Sequence, residues 1–425
     1  MTAADLKLDA VDEFVDLEES LDLQALVGEV GTEPVRPAMQ PYEDDRLAEV
    51  RNSARRFARE YVLPRATAID AEGDNSTESY PWDLVELMQA EGYFGMCLPT
   101  EAGGDGRPVV EMLVVLEELA RVDVTTARIA GDFNGVVGNC LLNSGTPDQV
   151  QRYLPGILAG RKPCICITEP SSGSSLRDMQ TTLSRSAGGW VLNGRKRPIS
   201  GVGTGDVYLV LARVDPNSVP SGGFAALLVD SEHEGVAAGK KWHMTGTHGM
   251  PEYDLELSEV PIRDGDIVGE VGAGLSVVMS SYNMQRLVAA SIGLGIGAGA
   301  FGMAVRYANL RKQGDVRIGD YQGTRWNFAD VHTRIVSARA MLHIAARNDR
   351  PTRHDAAVAK LMCVEASVAA ADYALQVFGW RGYSKHYPLE RYLRDARMFT
   401  IGGGTVEVLR DIVGKSVLDL PDSSL

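Results

Sequence analysis

The sequence predicts an α+β protein built from three successive domains: an N-terminal helical domain, a middle β-barrel or sandwich domain and a C-terminal four-helix bundle. Two observations predict this order. Apolar residues recur at helical spacing early and late in the chain, whereas between about residues 165 and 274 they alternate with a period of two. The chain has 425 residues, 44% of them hydrophobic, which is enough to fill a large core.

The chain begins with an acidic stretch, residues 1–41, that ends in the turn-rich letters TEPVRPAMQP. Its composition predicts a mobile arm that carries no chemistry. Residues 42–164 follow as the helical domain, since Leu47, Val50 and Ala54 lie on one face of a predicted helix and further helical patterns come after them.

The middle domain, residues 165–274, contains the buried-strand patterns VYLVLARV and FAALLVD and the alternating stretch YDLELSEV. Residues 275–425 return to long apolar-periodic helices with little proline, which is typical of an antiparallel bundle. The glycine-rich stretch SIGLGIGAGAFG lies inside a helical pattern and follows no strand, so it predicts close helix packing rather than a dinucleotide loop.

Charge and cysteine content exclude several classes of protein. With 57 acidic and 42 basic residues the formal charge is −15, which argues against nucleic acid or an anionic membrane as the main partner. The N-terminus has no basic and apolar segments of a signal peptide, so we expect a cytoplasmic protein that neither is secreted nor enters a membrane. The spacing of the five cysteines predicts neither disulfides nor a metal site.

Three separated segments carry a resemblance to a known family. They are CICITEPSSGSSLRDMQTTLSRSAGGWVLNGRKRPISG at 164–201, RYANLRKQGDVRIGDYQ at 306–322 and ALQVFGWRGYSKHYPLERYLRDARMFTIGGGTVEVLR at 374–410. In this order they resemble the Thr-Glu-Pro, Arg-x-Gln-Phe-Gly and Gly-Thr-x-Glu-Ile segments of acyl-CoA dehydrogenases. The resemblance covers roughly residues 42–415 and implies that family's fold.

The resemblance implies FAD as the cofactor and a homodimer or homotetramer as the assembly. Small residues in a turn after a strand also let the main chain approach a cofactor closely. By similarity, Ile167, Thr168 and Ser200 face the isoalloxazine ring, and Ser174 lies near the pyrophosphate. Gly173, next to Ser174, is one of the small residues that allow the close approach. The remaining matches to FAD contacts, some of which reach across a subunit interface, are Arg311, Gln313, Gln376, Thr405 and Glu407.

The family's chemistry is removal of an α-proton by a carboxylate while the β-hydrogen leaves as hydride to the flavin. By resemblance, a backbone N–H at Gly403 polarises the thioester carbonyl. The carboxylate is found at one of two positions, which here are Gly403 and Gln285, the latter directly before Arg286. Glutamine cannot accept the proton at neutral pH, and losing a general base costs about 10²- to 10⁴-fold in rate.

Other substrate-binding candidates lie in two predicted helices. Tyr282 resembles an aromatic residue that lines the path of CoA. Arg128 and Asp132 lie one turn apart in the helix expected at the far end of the acyl pocket, where they could face solvent or pair with each other. If Arg128 faces the pocket, it would favour an acidic acyl group.

Three functions therefore remain open. The first is a FAD-dependent oxidoreductase that acts at Cα–Cβ of an acyl thioester, with CoA or a carrier protein as the handle. The second keeps the flavin but changes the chemistry, to β-elimination or desulfination of an acidic acyl-CoA or to monooxygenation. The third is a catalytically silent homologue. The electron acceptor stays open, because Pro198 replaces the family's aromatic residue near the exposed edge of the flavin.

Overall fold

The computed structural model describes residues 44–72, 75–219, 221–347 and 351–421. The predicted acidic arm, residues 1–41, lies outside the described residues. Helices come first, strands follow, and helices return, so the predicted α+β class with two helical domains around a β domain is confirmed.

The N-terminal helices pack around a shared apolar core. Helix α1 begins at Asp44, whose side chain accepts a hydrogen bond from the Leu47 N–H at 2.8 Å and caps the helix. From residue 44 onward, the α-helices that the structure describes here are α1 (Asp45–Phe57), α2 (Leu63–Glu72), α3 (Trp82–Ala90), α4 (Val109–Ala120), α5 (Val124–Asn134), α6 (Val136–Ser144) and α7 (Pro147–Leu158).

The middle of the chain forms one sheet of eight strands within the described residues. The strands are β1 (Pro163–Cys166), β2 (Thr182–Ser186), β3 (Gly189–Ser200), β4 (Val207–Val214), β5 (Phe224–Asp230), β6 (Val236–Lys241), β7 (Glu252–Ile262) and β8 (Ile267–Gly272). The order is β6-β7-β3-β2-β4-β5-β8, and β1 pairs with β4 in parallel. Because β3 ends at Ser200 opposite Glu252 of β7, these two residues are neighbours in the register.

The C-terminal helices form the second helical region. They are α8 (Gly274–Leu310), α9 (Gln322–Ala345), α10 (Arg353–Phe378), α11 (Trp380–Tyr383), α12 (Leu389–Phe399) and α13 (Val406–Val417). A short hairpin of β9 (Lys312–Gln313) and β10 (Val316–Arg317) separates α8 from α9.

Helix α8 is the central element of the core. Its glycines meet other backbones, since a Cβ on Gly295 would lie 2.3 Å from the Glu117 carbonyl oxygen and one on Gly297 would lie 2.6 Å from the Ser367 Cα. The stretch SIGLGIGAGAFG therefore serves close helix packing. Helices α8 and α10 are long and apolar enough to cross a bilayer, but the apolar window of α8 is 89% buried inside the protein.

Candidate active site

Helix α5 lies between the sheet and helix α8, and its two faces carry different residues. Arg128 and Asp132, four residues apart, face the sheet side. The Arg128 Nη2 donates to the Ser200 Oγ at 2.7 Å and to the Glu252 Oε1 at 3.2 Å. Asp132 accepts a hydrogen bond of 2.6 Å from the Nζ of Lys162. One interpretation of the sequence was that Arg128 and Asp132 pair with each other. In the structure each has its own partner instead.

The opposite face of α5 presents glycines to α8. A Cβ on Gly131 would lie 2.8 Å from the Val288 Cγ1, and a Cβ on Gly135 would lie 2.6 Å from the Gln285 Oε1. The half-buried side chain of Gln285 therefore points toward the junction between α5 and α6. Because residue 135 is a glycine, no side chain there collides with the Gln285 amide.

Arg286, the next residue of α8, is a buried cation that is only 6% exposed. Its Nη1 donates to the Asn283 Oδ1 at 2.6 Å, and its guanidinium lies 5.4 Å from the centre of the Tyr282 ring. The Nε has no hydrogen-bond partner within the part of the chain that the structure describes. Burial lowers the pKa of Arg286 and raises that of Tyr282. Tyr282 thus packs against the Arg286 guanidinium.

The turn Gly402–Gly404 faces both α8 and α10. Gly403 has a φ of +74°, which favours glycine, and a Cβ there would lie 3.7 Å from the Cβ of Ala289 and 3.2 Å from the Nζ of Lys360. Gln285, Arg286 and Ala289 occupy adjacent turns of one helix. The two positions where the family places a base are thus close in space, and neither carries a carboxylate.

Lys360 of α10 is completely buried next to this turn. Its Nζ donates to the carbonyl oxygens of Gly402 and Gly404, the latter at 2.7 Å. Burial, followed by the nearby charge of Arg286, lowers the pKa of Lys360 to about 7. Among the described residues, neither Lys360 nor Arg286 forms an ion pair with a carboxylate.

The candidate flavin strand is held by a buried ion pair. The Nζ of Lys196 donates to the Glu169 Oε1 at 2.7 Å and to the Ile167 carbonyl at 3.1 Å. Glu169 also accepts hydrogen bonds from the N–H groups of Gln180 and Thr181. Burial opposes ionisation of Glu169, but Lys196 and these donors lower its pKa on balance. The backbone at Ile167 is therefore fixed by its surroundings.

The turn that follows this strand fits a bound cofactor. Thr168 is half-buried and its carbonyl accepts from the Arg197 N–H at 2.8 Å. Gly173 and Ser174 are exposed, and a Cβ on Gly173 would meet no atom within 4 Å. Backbone donors and hydroxyls in open space suit phosphate groups, so the residues present fit FAD.

Ser200 belongs to a buried polar group. Its Oγ donates to the Glu252 Oε1 at 2.7 Å while it accepts from Arg128. Burial raises the pKa of Glu252, although Arg128 and Ser200 oppose the rise. Ser200 is therefore locked in orientation where β3 ends beside α5.

The remaining candidate cofactor residues lie elsewhere, at exposed or half-buried positions of the bundle. Thr405 caps α13 by accepting from the Val408 N–H at 3.3 Å, and Glu407 is exposed in its first turn. Gln313 lies in the exposed hairpin after α8, beside the half-buried Arg311, and Gln376 is exposed near the end of α10. Thr405 and Glu407 follow Gly403 by only two and four residues in the chain.

Sequence reasoning missed Lys360, Glu252 and the pair of Glu169 and Lys196. A signal existed for Lys360: it is the one charged residue in AAVAKLMCV, on a helix whose neighbouring positions are apolar. Glu252 had no comparable signal, because its partners come from other elements. Among the described residues, no group of three or more His, Cys, Asp or Glu side chains could hold a metal ion.

Comparisons with known proteins agree with this architecture. Residues 44–161, 164–260 and 272–418 match the N-terminal, middle and C-terminal domains of acyl-CoA dehydrogenase. A 3-sulfinopropanoyl-CoA desulfinase of Cupriavidus necator is 37% identical over 84% of this chain and 92% of its own length.

Two solved structures are similar at a TM-score of 0.83. Butyryl-CoA dehydrogenase from Megasphaera elsdenii is 28% identical over 88% of this chain and 99% of its own. A glutaryl-CoA dehydrogenase complex with glutaryl-CoA is 27% identical over 90% and 98%.

Fold, site and comparisons together define a flavin-dependent enzyme that acts on acyl-CoA thioesters. The chain belongs to the acyl-CoA dehydrogenase family. The predictions of membership in this family and of a flavin-dependent enzyme that acts on an acyl thioester are thereby confirmed.

Proposed function

We propose that the enzyme binds FAD and an acyl-CoA with a sulfinate group on its β-carbon, and that it releases this group as sulfite. One observation carries the proposal. The two base positions are Gln285 and Gly403, and the buried cations beside them, Arg286 and Lys360, have no carboxylate partner among the described residues. Positive charge without a base suits an anionic acyl group better than abstraction of an α-proton. The 37% identity with a 3-sulfinopropanoyl-CoA desulfinase supports the same choice.

The proposed reaction balances without an external electron acceptor. A 3-sulfinoacyl-CoA and water give the saturated acyl-CoA and hydrogen sulfite. The bond between Cβ and sulfur breaks, Cβ gains one hydrogen, and sulfur gains the hydroxyl of water. FAD, when bound, supplies a planar redox-active ring beside the acyl chain.

The side chains of this chain orient the substrate in the proposed site. The Gln285 amide can donate to a sulfinate oxygen, as glutamate could not, and Arg286 contributes positive charge from the same helix. The Gly403 N–H can donate to the thioester carbonyl. Tyr282 takes part by holding the Arg286 guanidinium, and Arg128 acts through Ser200 rather than on the acyl group. Asp132 stays a substrate-pocket candidate whose charge is already used by Lys162.

We extend the proposal to the cofactor contacts and the assembly. Ile167, Thr168 and Ser200 face the flavin ring, with Gly173 and Ser174 near the pyrophosphate. Arg311 and Gln313 contact the FAD of a neighbouring subunit in a homodimer or homotetramer, and the protein is cytoplasmic. The further contacts near the adenosine and pyrophosphate are Gln376, Thr405 and Glu407. Large exposed apolar side chains on the bundle, such as Trp326 at 63% and Trp380 at 64% exposure, support an interface there.

The test compares wild type with Gln285→Glu on two substrates. With 3-sulfinopropanoyl-CoA, wild type should release sulfite, and Gln285→Glu should lose most of that activity because a carboxylate repels the sulfinate. With a saturated acyl-CoA under anaerobic conditions, wild type should leave the flavin yellow. Gln285→Glu should bleach it about 10²- to 10⁴-fold faster, the usual contribution of a general base.

Gln285→Met is the matched control, since methionine has a similar size but neither hydrogen bonds nor accepts protons. It should lose sulfite release without gaining dehydrogenation. Rapid bleaching of the wild-type flavin by a saturated acyl-CoA, with no sulfite from the sulfinate, would identify an ordinary dehydrogenase and contradict the proposal.

A further inference from the structure

Lys360 holds both carbonyl groups that flank Gly403. Its Nζ donates to the carbonyl oxygens of Gly402 and Gly404. The peptide between Gly402 and Gly403 is trans, so its C=O and N–H point in opposite directions. When the Gly402 carbonyl points at Lys360, the Gly403 N–H therefore points away from it.

This arrangement leaves the Gly403 N–H available to donate a hydrogen bond to a ligand. Within the described residues it has no hydrogen-bond acceptor, although the Gly402 N–H donates to the Met398 carbonyl at 2.9 Å. Buried or partly buried backbone donors without an acceptor are uncommon, and they mark places where a ligand accepts. A cation on the carbonyl side of a peptide also polarises it, which makes the N–H on the other side a stronger donor.

We propose that Lys360 is a positioning residue of the active site: its amine fixes the Gly402–Gly404 turn, and its positive charge, transmitted through the Gly402 peptide, strengthens the Gly403 N–H that polarises the thioester carbonyl. The only part of the proposed function on which this inference rests is that the site binds an acyl thioester. It holds whether the reaction is desulfination or dehydrogenation.

Geometry separates this role from that of a base. The Nζ lies 3.2 Å from the point where the first side-chain carbon of residue 403 would stand. Two of its donor directions are already occupied by the Gly402 and Gly404 carbonyls. The contacts of Lys360 are thus made to the backbone of the turn, which fits a positioning role.

A purely structural role fits the surroundings of Lys360 less well. Burying a charge is costly, and proteins usually offset the cost with a carboxylate. The charge that acts on Lys360 is instead another cation, Arg286, so the site accumulates positive charge. Preorganised positive charge is most useful where negative charge develops on a substrate oxygen.

The proposal predicts a pH dependence of known direction. The pKa of Lys360 is about 7, so in the protein without substrate the ammonium form is lost as pH rises through neutrality. Negative charge on the bound acyl-CoA favours the ammonium form, so substrate binding should raise this pKa. Accordingly, kcat/KM should fall above about pH 7, and kcat should fall only at higher pH.

The experiment uses FAD-loaded full-length protein with propanoyl-CoA labelled with ¹³C at its carbonyl carbon, and it measures the ¹³C=O stretch by infrared difference spectroscopy. In wild type the stretch should move to lower frequency on binding, and more so at pH 6 than at pH 8.5. Lys360→Met, which removes donors and charge, should show a smaller shift that does not change with pH. Its kcat/KM should fall about 10- to 100-fold, somewhat less than for loss of an oxyanion donor itself.

Ser367→Ala is the matched control, because Ser367 is equally buried on the same face of α10, seven residues further along. It should retain the wild-type shift and its pH dependence. Equal shifts in wild type and Lys360→Met, or a pH-dependent shift in Lys360→Met, would overturn the proposal. If wild type releases no sulfite but keeps the infrared shift, the proposed desulfination fails while this inference stands.

Discussion

The sheet and the bundle each bury lysines, and they treat the charge differently. On the sheet side, Lys162 and Lys196 are completely buried, with Asp132 and Glu169 at 2.6 and 2.7 Å from their amines. In the bundle, Lys360 is equally buried but contacts only backbone carbonyl oxygens. The same residue type at the same burial thus has a counter-ion in one region and, among the described residues, none in the other.

This difference separates structural charges from charges that serve a ligand. In an ion pair the two charges neutralise each other, and the pair holds two elements together. Lys196 in this way joins strand β3 to the segment that contains Ile167 and Glu169. A buried amine without a counter-ion either loses its proton more easily, as the lowered pKa of Lys360 indicates, or keeps its charge when an anion binds near it. The comparison therefore predicts that removing a paired lysine damages stability most, whereas removing Lys360 damages function most.

The largest loss of stability is expected for Lys196→Met. The substitution leaves the Glu169 carboxylate, whose side chain is 1% exposed, without its cation. Breaking a buried pair by removing one partner costs about 3–5 kcal/mol. The measurement is urea unfolding of the purified variant, with the free energy of unfolding extrapolated to water.

The double variant Lys196→Met with Glu169→Gln tests whether the cost comes from the orphaned charge. It should recover part of the loss, because no charge is left buried without a partner and the single amide oxygen can still accept from one of the N–H groups of Gln180 and Thr181. A double variant as unstable as Lys196→Met would mean that packing of the lysine stem, and not the charge, dominates.

An intermediate loss is expected for Lys162→Met. Its partner Asp132 is 29% exposed, so water can solvate the carboxylate once the lysine is gone. The expected cost is about 1–2 kcal/mol, between exposed and fully buried pairs. The same urea experiment measures it, and a cost equal to that of Lys196→Met would mean that solvent access to the carboxylate does not reduce the loss.

The sequence was sufficient for the order of the domains. The apolar run VYLVLARV predicts a buried strand from local sequence alone, and the buried strand β4 spans those eight residues. The pairing of Gln285 with Gly403 as two base positions without a carboxylate was also visible, through resemblance. Their closeness in space follows from the packing of the Gly402–Gly404 turn beside Ala289.

What could not be predicted depends on which faces of the helices meet. Arg128 and Asp132 stand one turn apart, a spacing that favours an ion pair, but the rotation of α5 brings them to Glu252 and Lys162 instead. Lys360 and the Gly402–Gly404 turn are far apart in the chain, with a separation of 42 residues for the Gly402 contact. Local patterns carry no information about such a contact.

The smallest loss of stability is expected for Lys360→Met, and its size should depend on pH. No carboxylate among the described residues is left without its partner, and removing the desolvated charge offsets the loss of two hydrogen bonds. At pH 7 the free energy of unfolding of the variant should therefore lie within about 1 kcal/mol of wild type.

The native pKa of Lys360, about 7, is below its ordinary value of 10.5, so between these pH values the unfolded wild type holds more protons than the native state. Wild-type stability therefore rises with pH in this window relative to the variant, by at most about 1.4 kcal/mol per pH unit. Urea unfolding of both proteins at pH 7.0 and 9.5 measures the difference. A gap that stays constant would show that Lys360 titrates alike in both states, which would place its amine in contact with water and end the contrast with the paired lysines.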